Sequence, residues 1–334
     1  MKAIAQDRYG PPDALELREL PEPEPREDEV LVRVRAASMH PDVWHAVTGF
    51  PRVLRLMGGG LRRPKNPVPG VDLAGVVEGV GLHATRFGRG DEVFGRTVTN
   101  PWRNGGAFAE YVAARERLLE RKPTTLTFEQ AAAVPLSATI ALRCLRDEGR
   151  IEKGQRVLVN GAGGGVGTFA VQLAKAFGAS VTAVDRADKL DMLRSIGADE
   201  VVDFAREDFT RRGVHYDLIL DVPGNRPFSE CRRALTPDGT YVLVGHDQFG
   251  AQGRLWIGSL GRFAKLIALS PFVRQLPGLR GSKEAEDLLA VVAALIEAGR
   301  ITPVVDRTFP LEDVRDAFRY LVEGRARGKI VIVI

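Results

Sequence analysis

Gln155-Arg156-Val157-Leu158-Val159-Asn160-Gly161-Ala162-Gly163-Gly164-Gly165-Val166-Gly167-Thr168 is the stretch from which the rest of the chain is read. Val157, Leu158 and Val159 form a short apolar run rich in β-branched residues, and glycines follow at once. Phe169 to Phe177 then has helical spacing. Positions 166, 170, 173, 174 and 177 fall on one face, and Gly178 is the stop. Strand, glycine turn and helix in that order lift a glycine fingerprint above chance. The glycines let backbone approach a pyrophosphate closely, and the helix N-terminus offers free N–H groups and a positive dipole end. The motif reads Ala162-x-Gly164-x-x-Gly167, with Ala in the first glycine slot. A tight strand-to-helix turn that binds nothing has the same local pattern, so the following strand carries weight.

That strand, Ser180 to Asp185, ends in an acid 24 residues beyond Gly161. A carboxylate for the adenosine ribose is expected about 20 residues on. An ordinary strand-end carboxylate is the alternative for Asp185. A helix over Lys189 to Ile196 stops at Gly197. Three apolar runs follow: Glu200 to Phe204, Tyr216 to Val222 and Thr240 to Gly245. Their alternation with helical or turn segments predicts an α/β unit with a parallel, doubly wound sheet of the Rossmann type.

With 334 residues the chain exceeds what one core serves, so two domains are expected. Its 44% hydrophobic and 27% charged residues are those of a folded globular chain. No apolar run approaches the roughly 18 residues of a membrane span. Met1 leads directly into folded sequence without a signal-peptide pattern, which predicts a cytoplasmic protein with no membrane partner. A formal charge of +4 gives no reason to expect nucleic acid. Two cysteines, Cys144 and Cys231, exclude a disulfide framework and read as core thiols among apolar neighbours.

Before the glycine turn the texture is β-rich. Lys2-Ala3-Ile4, Leu15 to Leu20 and Glu29 to Ala37 read as strands, the last with clear alternation. Pro21-Glu22-Pro23-Glu24-Pro25 is a stiff exposed connector. In Ser38-Met39-His40-Pro41-Asp42-Val43-Trp44-His45-Ala46-Val47-Thr48-Gly49, Pro41 suits a first helical position, Asp42 the first turn and Gly49 the stop. A short helix therefore carries or adjoins His40, Trp44 and His45. The basic loop with Arg52, Arg55, Arg62, Arg63 and Lys65 reads as a solvated surface or as a cover over an anionic ligand. Glycine-punctuated strands over 69–81, 90–95 and 105–112 suggest a small barrel-like domain. Thr127 starts an Ala-rich helix broken by Pro135, and a second helix is expected from Thr139 to about Glu148. Leu266 to Val273 reads as one more strand and Lys283 to Ala298 as an amphipathic helix. Val304-Val305, a helix from Leu311 to Glu323 and a strand from Lys329 to Ile334 close the chain.

Together these segments resemble the medium-chain dehydrogenase/reductase superfamily, and within it the zinc-independent quinone oxidoreductase (zeta-crystallin-like) branch. The resemblance covers nearly the whole chain. It rests on Pro69-Gly70-Val71-Asp72-Leu73-Ala74-Gly75, Gly90 to Gly95, Gly105 to Val112, Ala131 to Pro135 with Thr139, Gly164 to Gly167, and Ala326-Arg327-Gly328-Lys329. It implies a GroES-like β-rich catalytic domain over 1–124, a Rossmann domain over 125–281, and a segment over 282–334 that returns to the first. It also implies a homodimer or higher oligomer and a small carbonyl or quinone substrate.

Zinc-dependent relatives need thiolate and imidazole ligands. They carry Cys early in the loop occupied here by Ser38 to Asp42, and Gly-His-Glu where this chain has Gly70-Val71-Asp72, so no metal is expected. Without metal, hydrogen-bond donors must stabilise the charge that hydride transfer builds on the substrate oxygen. The family usually has Asn at the position of His40, often Tyr at that of His45 and often Asp at that of Val43. Here the carboxylate is one residue earlier, at Asp42. His40 is expected as donor to substrate or nicotinamide ribose, with His45 and Asp42 in the proton route. NAD(P)H is expected against Thr139, Gly163, Gly164, Gly165, Val166, Gly167, Asp185, Arg186, Lys189, Phe204, Val244, Gly245 and Lys329. Asp185 favours NAD(H), whereas Arg186 and Lys189 favour NADP(H), and the balance leans to NAD(H). A nucleotide-binding redox sensor, a crystallin-like protein without efficient catalysis and a zinc alcohol dehydrogenase are the competing functions.

Overall fold

The computed structural model of the chain describes residues 1–245, 256–277 and 287–334. These fall into two units. The first comprises Met1–Leu136, Arg254–Gly258 and Pro303–Ile334, and the second Ser137–Gly253 and Ser259–Thr302. The first boundary and the return lie beyond the expected 124 and 281. A capping box explains the first shift: Thr127 and Gln130 start helix Phe128–Ala132, which packs on strands of the first unit.

In the first unit β1 (Lys2–Ala5) and β2 (Glu16–Glu19) pair antiparallel. Then come β3 (Glu29–Met39), α1 (Pro41–Thr48), β4 (Asp72–Val80), β5 (Glu92–Arg96), β6 (Tyr111–Arg115), β7 (Leu119–Arg121) and α2 (Phe128–Ala132). The chain passes through α3 (Pro135–Arg143) into the second unit. There it forms β8 (Arg156–Asn160), α4 (Gly165–Ala176), β9 (Ser180–Asp185), α5 (Leu190–Ser195), β10 (Glu200–Asp203), β11 (Tyr216–Asp221), α6 (Phe228–Arg233), β12 (Leu235–Leu243), α7 (Leu260–Leu269) and α8 (Leu288–Glu297). It re-enters the first unit as β13 (Val305–Pro310), α9 (Val314–Val322) and β14 (Lys329–Val333).

The first unit is organised on β3. Val30, Val32 and Val34 are buried while Arg33 and Arg35 are exposed, the alternation of a half-buried strand. From Ala36 to Met39 both faces are buried. Sheet order is β13-β14-β3-β4-β5-β7, with β6 also on β3. Its core gathers Val32, Leu73, Phe108, Phe318 and Ile330. The second unit carries a five-stranded sheet in the order β10-β9-β8-β11-β12, parallel throughout. The order reverses between β8 and β11, and in such sheets ligands bind outside the carboxyl ends at that point. The expected doubly wound α/β unit and β-rich partner unit are both present.

Several local expectations change. Leu266 to Val273 was expected as a strand, but the chain forms α7 there. The helix ends at Leu269 and turns follow to Val273; Leu266 and Leu269, on one helical face, and Val273 beyond it pack on the second core. Pro135 does not only break a helix. It opens α3 at a position that needs no N–H donor, and the helix ends at Arg143 before a wide turn over Cys144–Glu148. β13 runs on to Pro310 because β14 pairs alongside it. Of the expected helix Lys283 to Ala298, residues 283–286 lie outside the described residues. Both cysteines are buried free thiols, pushed up to about 12 by loss of solvent.

Candidate active site

The glycine turn follows β8. Gly161 adopts φ +75°, and its N–H and that of Ala162 donate to Val184 O at 2.9 and 3.1 Å. This ties the turn to the end of β9. A Cβ on Gly167 would stand 2.3 Å from Gly161 O and 2.6 Å from Ala162 Cα, so only glycine lets α4 start so close to the turn. Gly164 is the N-cap of α4 and no side chain caps the helix. The first-turn N–H groups of Gly165, Val166 and Gly167 therefore have neither an intrahelical nor a side-chain cap partner, as an anion-binding helix start requires.

Asp185 lies under this turn. Its Oδ2 accepts from Gly163 N–H at 2.7 Å and its Oδ1 from Arg186 N–H at 2.8 Å. The Lys189 ammonium is 3.8 Å from Oδ1, with both side chains almost fully buried. Arg186 reaches Asp188 at 3.1 Å. Phe204 is exposed beside them, its N–H on Asp185 O at 3.2 Å. Gly163, Asp185, Arg186, Lys189 and Phe204 are thus brought together.

At the reversal point of the sheet, Asn160 Nδ2 donates to Asp221 Oδ1 at 2.8 Å and to Asn225 Oδ1 at 3.0 Å. Gly224 N–H and Tyr241 Oη–H also donate to Asp221, at 3.0 and 2.7 Å. Burial raises the Asp221 pKa against these donors. Val244 N–H donates to Asp221 O at 3.0 Å, which fixes the path toward Gly245. The sequence expectation omitted Asn160, Asp221 and Tyr241; polar residues ending adjacent parallel strands were the available signal. Thr139 is buried in the same unit.

In the first unit His40 is the N-cap of α1, with extended backbone at φ −135°, ψ 149°. Asp42 N–H donates to His40 Nδ1 at 3.2 Å, and Asp42 Oδ2 is 3.2 Å from the same nitrogen. In the neutral tautomer whose Nδ1 accepts from Asp42 N–H the proton is on Nε2; in the other, Nδ1–H faces Asp42 Oδ2. In the cation Nδ1–H faces the carboxylate and Nε2 again keeps its proton. Nε2 is buried and has no hydrogen-bond partner among the described residues, although His40 is only 7% exposed.

Trp102 Nε1–H donates to Asp42 Oδ1 at 3.2 Å and completes a Trp102–Asp42–His40 chain. Burial pushes the Asp42 pKa up, but His40, His45 and Trp102 outweigh it and hold the carboxyl below the usual range. Sequence reading missed Trp102, which lies 60 residues away. His45 Nδ1 is 2.6 Å from Phe50 O, so that nitrogen carries the proton and the ring orientation is fixed.

Lys329, expected against the cofactor, is 2% exposed, with its ammonium 3.7 Å from Asp72 Oδ2. Its charge is already engaged within the first unit. Asp72 also accepts from Ser38 Oγ–H at 3.1 Å and Leu136 N–H at 3.2 Å. Among the described residues no three His, Cys, Asp or Glu side chains gather where one metal ion would touch them all. Val71 and Asp72 follow Gly70 where zinc relatives have His and Glu, and Asp72 is bound to Ser38, Leu136 and Lys329. The donor set does not fit a catalytic zinc ion.

Residues 26–124 match the alcohol dehydrogenase GroES-like domain and residues 196–332 the zinc-binding dehydrogenase family. The chain is 34% identical to 2-methylene-furan-3-one reductase of Solanum lycopersicum, over 99% of this chain and 79% of the relative. It is 33% identical to the chloroplastic NADPH-dependent alkenal/one oxidoreductase of Arabidopsis thaliana, over 99% and 79% respectively. The quinone oxidoreductase structure from Coxiella burnetii is 28% identical, covers 100% of this chain and 99% of its own, and superposes with a TM-score of 0.82.

Proposed function

The chain belongs to the medium-chain dehydrogenase/reductase superfamily and is an NAD(P)-dependent oxidoreductase of the quinone oxidoreductase type, and from that premise we propose that it reduces a conjugated carbonyl compound (an enal, an enone or a quinone) with His40 as the donor to the substrate oxygen. The three relatives bear names of compounds in which a C=C bond is conjugated to a carbonyl. The observation that carries the proposal is the buried Nε2 of His40, which has no hydrogen-bond partner among the described residues and carries a proton in the tautomer whose Nδ1 accepts from Asp42 N–H. An unmade hydrogen bond at a buried donor costs about 1–3 kcal/mol, and a substrate oxygen relieves it.

The dinucleotide would lie with its pyrophosphate at the Gly163–Gly167 turn, its adenosine ribose by Asp185, Arg186 and Lys189, and its adenine by Phe204. Thr139, Val244 and Gly245 would flank its other end. When bound, it supplies the hydride. As negative charge builds on the substrate oxygen, His40 Nε2–H donates to it. Asp42 stabilises the cationic ring before it gives up its proton, and Trp102 holds Asp42 in place. His45, its ring held by Nδ1 at 2.6 Å from Phe50 O, would be the second imidazole of the proton route. Hydride and proton together account for the two-electron reduction.

Around the ribose subsite Asp185 and Asp188 balance Arg186 and Lys189, so discrimination between the cofactors is weak. Titration with NADH and NADPH is expected to give affinities within about tenfold, a gap of about 1.4 kcal/mol. A homodimer belongs to the same proposal and is checked by sedimentation.

The test is His40→Ala beside His40→Gln. Turnover of an enone panel should fall about 10²–10³-fold in His40→Ala with cofactor affinity unchanged, and His40→Gln should recover part of it. Unchanged turnover in His40→Ala would sink the donor role, and absence of turnover in the parent with every enal, enone and quinone would favour a sensor. Stoichiometric zinc in the purified protein would contradict the metal-free site.

A further inference from the structure

The loop after α1 places large apolar side chains in solvent on a backbone that is firmly held. Tyr9 Oη–H donates to Gly60 O at 2.8 Å. Arg55 lies over the Tyr9 ring at 4.5 Å and donates from Nε to Gly49 O at 2.9 Å. Asn100 Nδ2 donates to Met57 O, Lys65 N–H to Gly59 O and Val53 N–H to Trp256 O, each at 3.0 Å. On this frame Leu56 is 61%, Leu61 69% and Trp256 58% exposed, and Met57 and Ile257 are exposed too. A tied backbone that holds apolar side chains outward is a built surface rather than a frayed loop.

The charge that the loop itself carries has one sign. From Val43 to Val71 the sequence has five Lys or Arg residues and no Asp or Glu. Arg52, Arg62, Arg63 and Lys65 are exposed, and the Arg52 guanidinium lies 5.6 Å from the centre of the Trp256 ring. Asp7, whose charge reaches Arg63, is already paired with Arg18 at 2.8 Å.

We infer that this surface of the first unit docks on anionic lipid, with Leu56, Met57, Leu61 and Trp256 entering the headgroup boundary and the surrounding cations meeting lipid phosphates. Long cationic side chains interleaved with Leu, Met and Trp are what such a boundary takes up. A second copy is the poorer occupant, because a two-fold interface would set the same cations against themselves. A nucleic acid would leave the aliphatic side chains without partners. The contact is peripheral: among the described residues no helix is long and apolar enough to cross a membrane. It departs from the expectation of no membrane partner, which rested on the lack of a spanning segment. It does not depend on the assignment of His40.

The experiment is flotation of the whole protein with phosphatidylcholine vesicles, with and without phosphatidylglycerol, at low and high salt. Retention is expected on the anionic vesicles alone and is expected to weaken with salt. Leu56→Ser/Leu61→Ser and Arg62→Glu/Arg63→Glu should each lower the bound fraction about tenfold or more, with melting temperature unchanged as the control for folding. Retention on neutral vesicles equal to that on anionic ones, no retention on either, or no effect of either double variant overturns the inference. So does a membrane-free dimer that Leu56→Ser/Leu61→Ser dissociates, since a second copy would then cover the surface.

Discussion

The glycine turn of the second unit and the His40 loop of the first are built on opposite principles. The turn presents backbone: its donors are N–H groups, and its side chains matter mainly where they are missing. The loop presents an imidazole, whose ring is held through Nδ1 by Asp42 and, through it, by Trp102. A backbone site is lost by adding an atom and is nearly indifferent to charge. A side-chain site tolerates changes of volume and fails when a polar atom is removed.

Gly167→Val should have the largest effect. Its first added atom would stand 2.3 Å from Gly161 O, so the turn and α4 must separate. Calorimetry is expected to show a loss of several kcal/mol, of the order found for overpacked interiors, together with loss of nucleotide binding. Normal binding would mean that the turn is softer than its packing implies. Trp102→Phe probes the other side of the comparison. It removes one hydrogen bond and should cost about tenfold in turnover, with little change in cofactor affinity.

The third test is pH. The folded-state pKa of Asp42 is depressed, so the stability it contributes is complete above its unfolded value and is lost as pH falls through the folded value. Below about pH 4 the parent should therefore lose stability faster than Asp42→Asn, by about 1.4 kcal/mol per pKa unit of depression. Parallel acid-unfolding curves would remove Asp42 from the His40 chain. Gly164→Ala should be the mildest in stability. A Cβ there meets nothing nearer than Gly161 O at 3.6 Å, so melting should hardly move. Nucleotide affinity should still fall, because the new methyl occupies the approach to the pyrophosphate. Unchanged affinity would move the phosphate away from this glycine.

The two principles also separate what could be read from sequence from what could not. The glycine turn, α4 and the acid ending β9 were legible because their spacing is local and backbone chemistry imposes it. The short helix behind His40 was legible for the same reason: Pro41, Asp42 and Gly49 mark its ends within nine residues. The partners that distant residues supply were not. Trp102 reaches Asp42 only once the barrel-like strands have folded, and Asn160 meets Asp221 only across two parallel strands. Lys329 sits in a motif that the resemblance sets against the cofactor, and its ion pair with Asp72 at 3.7 Å is a contact that no local spacing announces. Helix α7 was misread because its apolar density was weighed above the spacing of Leu266 and Leu269.

Strand β14 lies between β3 and β13, so the sheet of the first unit is completed by residues made almost 300 positions after β3. During translation the ribosome emits nearly all of the second unit before that gap is filled. Until then β3 shows an unzipped margin from Ala36 to Met39, just ahead of His40. The nucleotide fold can thus form on the growing chain, whereas the strand that leads into His40 gains its last neighbour only at the end of synthesis, an interval in which a bare strand margin is open to wrong pairing.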